Sequence, residues 1–170
     1  MRIDEKEMRP GDILIFRRAK RDYIGLVFSL LIKLFYPNWD MWGWHMAYVI
    51  GPDLNDWIIG EATWPCVRRN HLSQMGEHRV YRWFSVPLPQ SDIESFTSRH
   101  IGAKYDILLY PWTLAAYLVR HFWNKPVPRL LDDRFTCWEY VCEFVEAMGK
   151  PIVSKYDCPL IADMQTELEK

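Results

Sequence analysis

Three residues of different chemical type, far apart in the chain, would together make a thiol nucleophile: Cys137, His45 and Glu61. Cysteine attacks a carbonyl as its thiolate. It therefore needs a neighbour that takes its proton and then holds a positive charge beside the sulfur, and imidazole does both near neutral pH. The imidazole needs an acceptor of its own to fix the tautomer and orient the ring, a task a carboxylate performs. The surroundings of Cys137 add a second reason. The stretch Asp132 to Gly149 reads as a helix with Thr136 as N-cap, two aspartates ahead of it and Gly149-Lys150-Pro151 as its stop. A thiol in the first turn of such a helix lies along exposed backbone N–H groups, which favour thiolate over thiol. Trp138, Val141, Cys142 and Val145 recur at helical spacing, so that side of the helix is expected to be buried.

The other two groups sit on segments that read as strands. Trp44-His45-Met46-Ala47-Tyr48-Val49-Ile50-Gly51 is followed by a Gly51-Pro52-Asp53 turn, and Trp57-Ile58-Ile59-Gly60-Glu61-Ala62 returns beside it as a hairpin. The separation of residues 45 and 61 allows about seven strand residues on each side plus a short loop, an ordinary hairpin length. Both side chains are then expected to face the helix that carries Cys137. Ile13 to Phe16 is a short buried strand, Val67 to Arg69 a weaker extended piece, and Arg79 to Val86 a strand with one solvated face. Ser91 with Glu94 matches a capping box for a helix running to about His100 and ending at Gly102. Ile107 to Phe122 is apolar and expected to be helical after Pro111, and the charged tail Gln165 to Lys170 is expected to fray. The expectation is an α+β fold, an antiparallel sheet packed against helices, in one domain spanning residues 1–170.

Composition narrows the partners. A net charge of -1 leaves no basic stripe for nucleic acid. Nine tryptophans are a high count; cores use aromatics, and so do clefts that grip sugars, lipids or peptides. The four cysteines, Cys66, Cys137, Cys142 and Cys158, show no CxxC pair and no zinc-finger spacing with histidine, so neither metal nor cofactor is expected. Met1 to Glu7 is polar and unlike a signal peptide, which points to reduced thiols in a cytoplasm. Tyr23 to Tyr36 is nearly all apolar yet too short to span a bilayer, which takes about 20 residues. It is read as a buried helix, or as one that touches lipid or a greasy substrate.

Each candidate has a plainer reading. Cys142 is about 140° round the helix from Cys137 and over a turn deeper, a core position. Cys66 and Cys158 read as structural, and His71, His78, His100 and His121 as surface or packing residues. Glu139 and Glu143 would be solvated or bonded to nearby backbone. Trp39, Trp42 and Trp44 are packing residues by type, but they immediately precede His45 and so fall near the mouth of any cleft.

Taken in order, Gly11-Asp12-Ile13-Leu14, Trp44-His45-Met46-Ala47-Tyr48-Val49, Gly60-Glu61-Ala62, Tyr105-Asp106 and Cys137-Trp138-Glu139-Tyr140-Val141 resemble the permuted NlpC/P60 papain-like proteins, the group described as YiiX/YebB-like. The resemblance implies a circularly permuted papain-like fold with histidine ahead of cysteine. It implies Cys137 as nucleophile, His45 as base and then acid, Glu61 as orienting group, and the Cys137 N–H as part of an oxyanion hole. Tyr105 falls at the family's Tyr-Asp position and would contact substrate or shape the cleft, with Trp44 and Trp138 beside it. Trp138 departs from the pattern, in which a small residue is common, and would either narrow the cleft or pack in the core. The implied activity is hydrolysis of an amide or ester in a peptide, a cell-wall peptide or a lipid-linked substrate. The alternatives are acyl transfer, as in the lecithin:retinol acyltransferase-like relatives, and an inactive binding module.

Overall fold

The computed structural model describes residues 1–17, 42–106, 134–151 and 161–170, with residues 30, 33, 34, 37, 115, 118, 119, 122 and 123 besides. Its centre is an eight-stranded sheet in the order β1-β6-β2-β3-β4-β5-β7-β8. The strands are β1 (Arg2–Ile3), β2 (Ile13–Arg17), β3 (Gly43–Asp53), β4 (Asp56–Thr63), β5 (Cys66–His71), β6 (His78–Tyr81), β7 (Lys104–Tyr105) and β8 (Arg134–Phe135). All neighbours are antiparallel except β7 and β8, which run parallel. Among the elements described in full are the helices α1 (Gln90–His100), α2 (Cys137–Ala147) and α3 (Ile161–Glu169). The fold is α+β and mostly antiparallel. Among the described residues no helix is long and apolar enough to cross a membrane.

Both faces of the sheet are covered, which is why β2 is an unbroken apolar run and not an alternating one. Ile13, Ile15, Met46, Tyr48, Ile50 and Tyr81 point to one side and join the helices in the larger core cluster. Leu14, Phe16, Ala47, Val49, Ile59 and Val80 point to the other side and form a smaller cluster with Met8 and Leu72. Tyr48 anchors α2 to the sheet: its ring stacks on Phe144 at 3.9 Å between centroids, and its hydroxyl meets that of Tyr140 at 2.6 Å. The same hydroxyl lies 2.9 Å from Thr97 Oγ1, which ties in α1. Such stacking is worth about 0.5–1.5 kcal/mol beyond burial. It depends on Gly60, opposite Tyr48 in β4, because a Cβ there would lie 2.6 Å from the tyrosine ring.

Several local expectations change. The β3–β4 hairpin forms, but the chain turns at Leu54-Asn55, with Asp53 opposite Asp56. Leu54 takes up the left-handed conformation at φ 53°, while Gly51, the expected turn, lies at a register shift inside β3. Strand β6 ends at Tyr81, short of Val86, because Arg82 turns to the buried Asp12 (3.2 Å) and its N–H donates to Met1 O. Helix α1 begins at Gln90 after Pro89 with no side-chain cap, so the Ser91–Glu94 capping box does not form; Glu94 instead accepts from Gln90 Nε2. The expected frayed tail is helix α3, held because Met164 and Leu168, one turn apart, are fully buried. Strand β8 had no signal in the sequence. The segments Tyr23 to Tyr36 and Ile107 to Phe122 lie outside the described residues except at residues 30, 33, 34, 115, 118, 119 and 122, as do Trp39, Cys158, His121 and the Asp132-Asp133 pair.

Candidate active site

Cys137 is the first residue of α2, and Thr136 ahead of it is the N-cap. The cap is a reciprocal box. Thr136 Oγ1 accepts from Glu139 N, and Glu139 Oε2 accepts from both the N–H and the hydroxyl of Thr136, at 3.0 Å each. Two of the helix's orphan donors are thereby satisfied from within. Glu139 is thus bonded to backbone, the second of its two sequence readings. The first N–H groups of a helix have no intrahelical acceptor, so the Cys137 N–H is left facing whatever occupies the site. The helix buries a wider arc than its spacing suggested, with Trp138, Tyr140, Val141, Phe144 and Val145 all inside. Cys142 is only half-buried, its sulfur 3.3 Å from Met164 Sδ.

His45 and Glu61 are brought together by strand register. Ala47 stands opposite Glu61, so His45, two residues earlier on the same face, is the diagonal neighbour of that carboxylate. His45 Nε2 lies 2.7 Å from Glu61 Oε2. The other oxygen of Glu61, Oε1, accepts from Arg68 Nε at 3.0 Å and from Asn70 Nδ2 at 3.1 Å. Glu61 is only 1% exposed. Burial works to raise its pKa, but the His45, Arg68 and Asn70 bonds outweigh it and hold the carboxyl at about 2. Glu61 is therefore an anion, and His45 donates to it through Nε2. That leaves Nδ1 for the sulfur.

Cys137 acts on the same imidazole through both hydrogen bonding and charge. Burial pulls the His45 pKa down, yet Cys137 and Glu61 together push it up to about 10. The ring is then a cation at neutral pH between two acidic partners. The three groups run in series, sulfur to imidazole to carboxylate. Helix α2 packs on the Tyr48 side, and the regular register from Ile13 to Phe16 puts His45 on the opposite side, so His45 reaches the helix that carries Cys137 at its first residue.

The other sequence candidates are placed as follows. The ladder slips between Phe16 and Arg17, which pair with His45 and Gly43, leaving the half-buried Trp44 bulged between them. Bulges of this kind re-aim side chains beside sites. Trp138 lies inside the larger cluster, 3% exposed. Tyr105 is half-buried and pairs with Phe135, two residues before Cys137, so β7 and β8 deliver the chain to the helix start. Arg68 and Asn70 were not anticipated. Their alternation with Glu61 across β4 and β5 was a usable signal once Cys66 to His71 was read as a full strand.

No protein-family model matches the chain, and no curated protein matches it. Among solved structures, the crystal structure of yiiX from Escherichia coli O157:H7, titled a metalloprotein of DUF1105, superposes with a TM-score of 0.55 at 18% identity, over 93% of this chain and 79% of that one. The chain has the fold of a YiiX-like protein in its broad outline.

Proposed function

We propose that the protein is a papain-like cysteine hydrolase of permuted chain order that cleaves an amide or ester through an acyl-enzyme. The observation carrying this reading is the single imidazole shared between the Cys137 sulfur and the buried Glu61 carboxylate, with that sulfur at a capped helix start. The thiolate adds to the carbonyl carbon, and the oxyanion accepts from the Cys137 N–H. His45 gives its Nδ1 proton to the leaving nitrogen or oxygen as that bond breaks, and the acyl group remains as a thioester. The neutral imidazole then takes a proton from water, whose oxygen adds to the thioester. The carbonyl re-forms, the carboxylic acid departs, and the thiolate–imidazolium pair is restored.

The yiiX protein is described as a metalloprotein. Among the described residues no cluster of three or more His, Cys, Asp or Glu side chains is placed to hold one. The described residues do not fit a metal centre.

The test is acylation by p-nitrophenyl acetate. A burst of p-nitrophenolate with acetyl found on Cys137 by mass spectrometry is expected, and its loss in Cys137→Ala and His45→Ala. No burst, or acetyl on Cys66 and Cys142 equally, overturns the reading in favour of a binding module. A second reading, transfer of the acyl group to a lipid or amine, is favoured by Leu30 and Leu34, helical residues that are 52% and 72% exposed. Liposome co-sedimentation unchanged in Leu30→Asp/Leu34→Asp would remove it.

A further inference from the structure

The carboxylate of Glu61 divides its work between its two oxygens. Oε2 meets only His45, while Oε1 is filled by Arg68 Nε and Asn70 Nδ2. Arg68 stands directly opposite Glu61 in the β4–β5 ladder, and Asn70 is the diagonal neighbour on the same face. Asn70 Nδ2 also lies 3.4 Å from Met75 Sδ. Among the described residues, the charged and titratable groups around the couple are these. Strand β3 supplies His45, β5 supplies Arg68, and α2 supplies Cys137 through His45; on β2 the neighbour is Phe16, with His78 of β6 beyond its ring.

We propose that Arg68 and Asn70 are positioning residues for this couple. They hold Glu61 in one rotation by occupying Oε1, and the guanidinium keeps the carboxylate ionised through the half of the cycle in which His45 is neutral. The inference rests on the hydrolase reading above. Its physical basis is burial. Burial drives a carboxylate that is 1% exposed towards its protonated form unless cations or hydrogen-bond donors face it. His45 is such a cation only until it protonates the leaving group. Arginine is one at every working pH. Were Glu61 to become protonated, it would donate to Nε2, and the ring's own proton would then sit on Nδ1, the nitrogen turned to the sulfur. A ring in that tautomer cannot accept a proton from water on the thioester side, so deacylation would stall.

The experiment follows alkylation of Cys137 by iodoacetamide, and hydrolysis of acetyl-Cys137 formed from p-nitrophenyl acetate, from about pH 4 to about pH 8. Wild type, Arg68→Gln, Arg68→Lys and Asn70→Ala are compared as full chains. Arg68→Gln is expected to move the acidic limb of deacylation up by about one pH unit, so that the rate at the acid end falls about tenfold. Arg68→Lys retains the cation and is expected to restore the limb. Asn70→Ala removes a donor but no charge, so the plateau falls and the limb stays in place. An Arg68→Gln profile that overlies wild type overturns the proposal, as does Arg68→Lys behaving like Arg68→Gln, which would reduce Arg68 to packing. Should Arg68→Gln not fold, Arg68→Lys and Asn70→Ala decide: a shifted limb in the first, or an unchanged plateau in the second, overturns it. If wild-type Cys137 itself reacts no faster at acid pH than Cys66 and Cys142, the hydrolase reading fails and this one with it. A reactive Cys137 with indifferent variants sinks the present inference alone.

Discussion

Changing Glu61 to Gln keeps the shape of the side chain and removes its charge, which isolates what the carboxylate does for His45. In the folded protein the carboxyl lies at about 2, against a reference of 4.5, a displacement of about 2.5 pH units. At 1.36 kcal/mol per unit this is on the order of 3 kcal/mol. Burial opposes it, and His45 is the largest of the groups that produce it. Linkage is reciprocal, so what His45 does to Glu61, Glu61 does to His45, and the variant should lower the His45 pKa from about 10 while Cys137 still holds it up. The assay is an NMR titration of the His45 ring in both proteins. A shift below about 0.3 units would refute the reasoning, because it would mean that the 2.7 Å contact carries no charge coupling. The same pair sets the pH profile of stability. Glu61 is depressed, so its contribution is complete above about 4.5 and is lost as pH falls towards 2. His45 is raised, so its contribution is complete below 6.5 and is lost as pH rises through about 10. Stability from this couple should therefore be greatest between these limits, and urea midpoints of Glu61→Gln should lose most of the acid-side slope.

Three further outcomes are expected. Thr136→Ala opens the capping box, leaving Glu139 N without its acceptor and the buried Glu139 carboxylate short of the hydroxyl donor; it should cost about 1–2 kcal/mol in urea unfolding and slow Cys137 alkylation. Gly60→Ala puts a methyl 2.6 Å from the Tyr48 ring, which Phe144 blocks from retreating, and should cost about 1–3 kcal/mol with altered near-UV circular dichroism. Leu168→Ala, at a fully buried position of α3, should cost about 2–5 kcal/mol, and an effect below about 0.5 kcal/mol would show that the helix is not docked on the core.

Much of the site was legible from local physics. A threonine before a helical apolar pattern marks a helix start, a cysteine at the next position has few roles, and two apolar segments joined by a short polar turn make a hairpin. Those features depend on near neighbours in the chain, so Cys137 at the head of α2 and the pairing of β3 with β4 could be read without coordinates. Register, edge pairing and charge coupling could not. Which face His45 occupies relative to α2 depends on a ladder between Ile13–Phe16 and Tyr48–His45, segments far apart in the chain. The two-residue β8 exists only because β7 lies alongside it. The charged tail is a helix because Leu168 finds the core, an outcome its composition argues against. The Arg68–Glu61–Asn70 arrangement likewise arises only when β5 docks on β4. Local sequence supplied the chemical groups and their secondary structure, whereas their burial, and with it their protonation, was decided by long-range pairing, since desolvation is a property of everything packed around a group and not of the group itself.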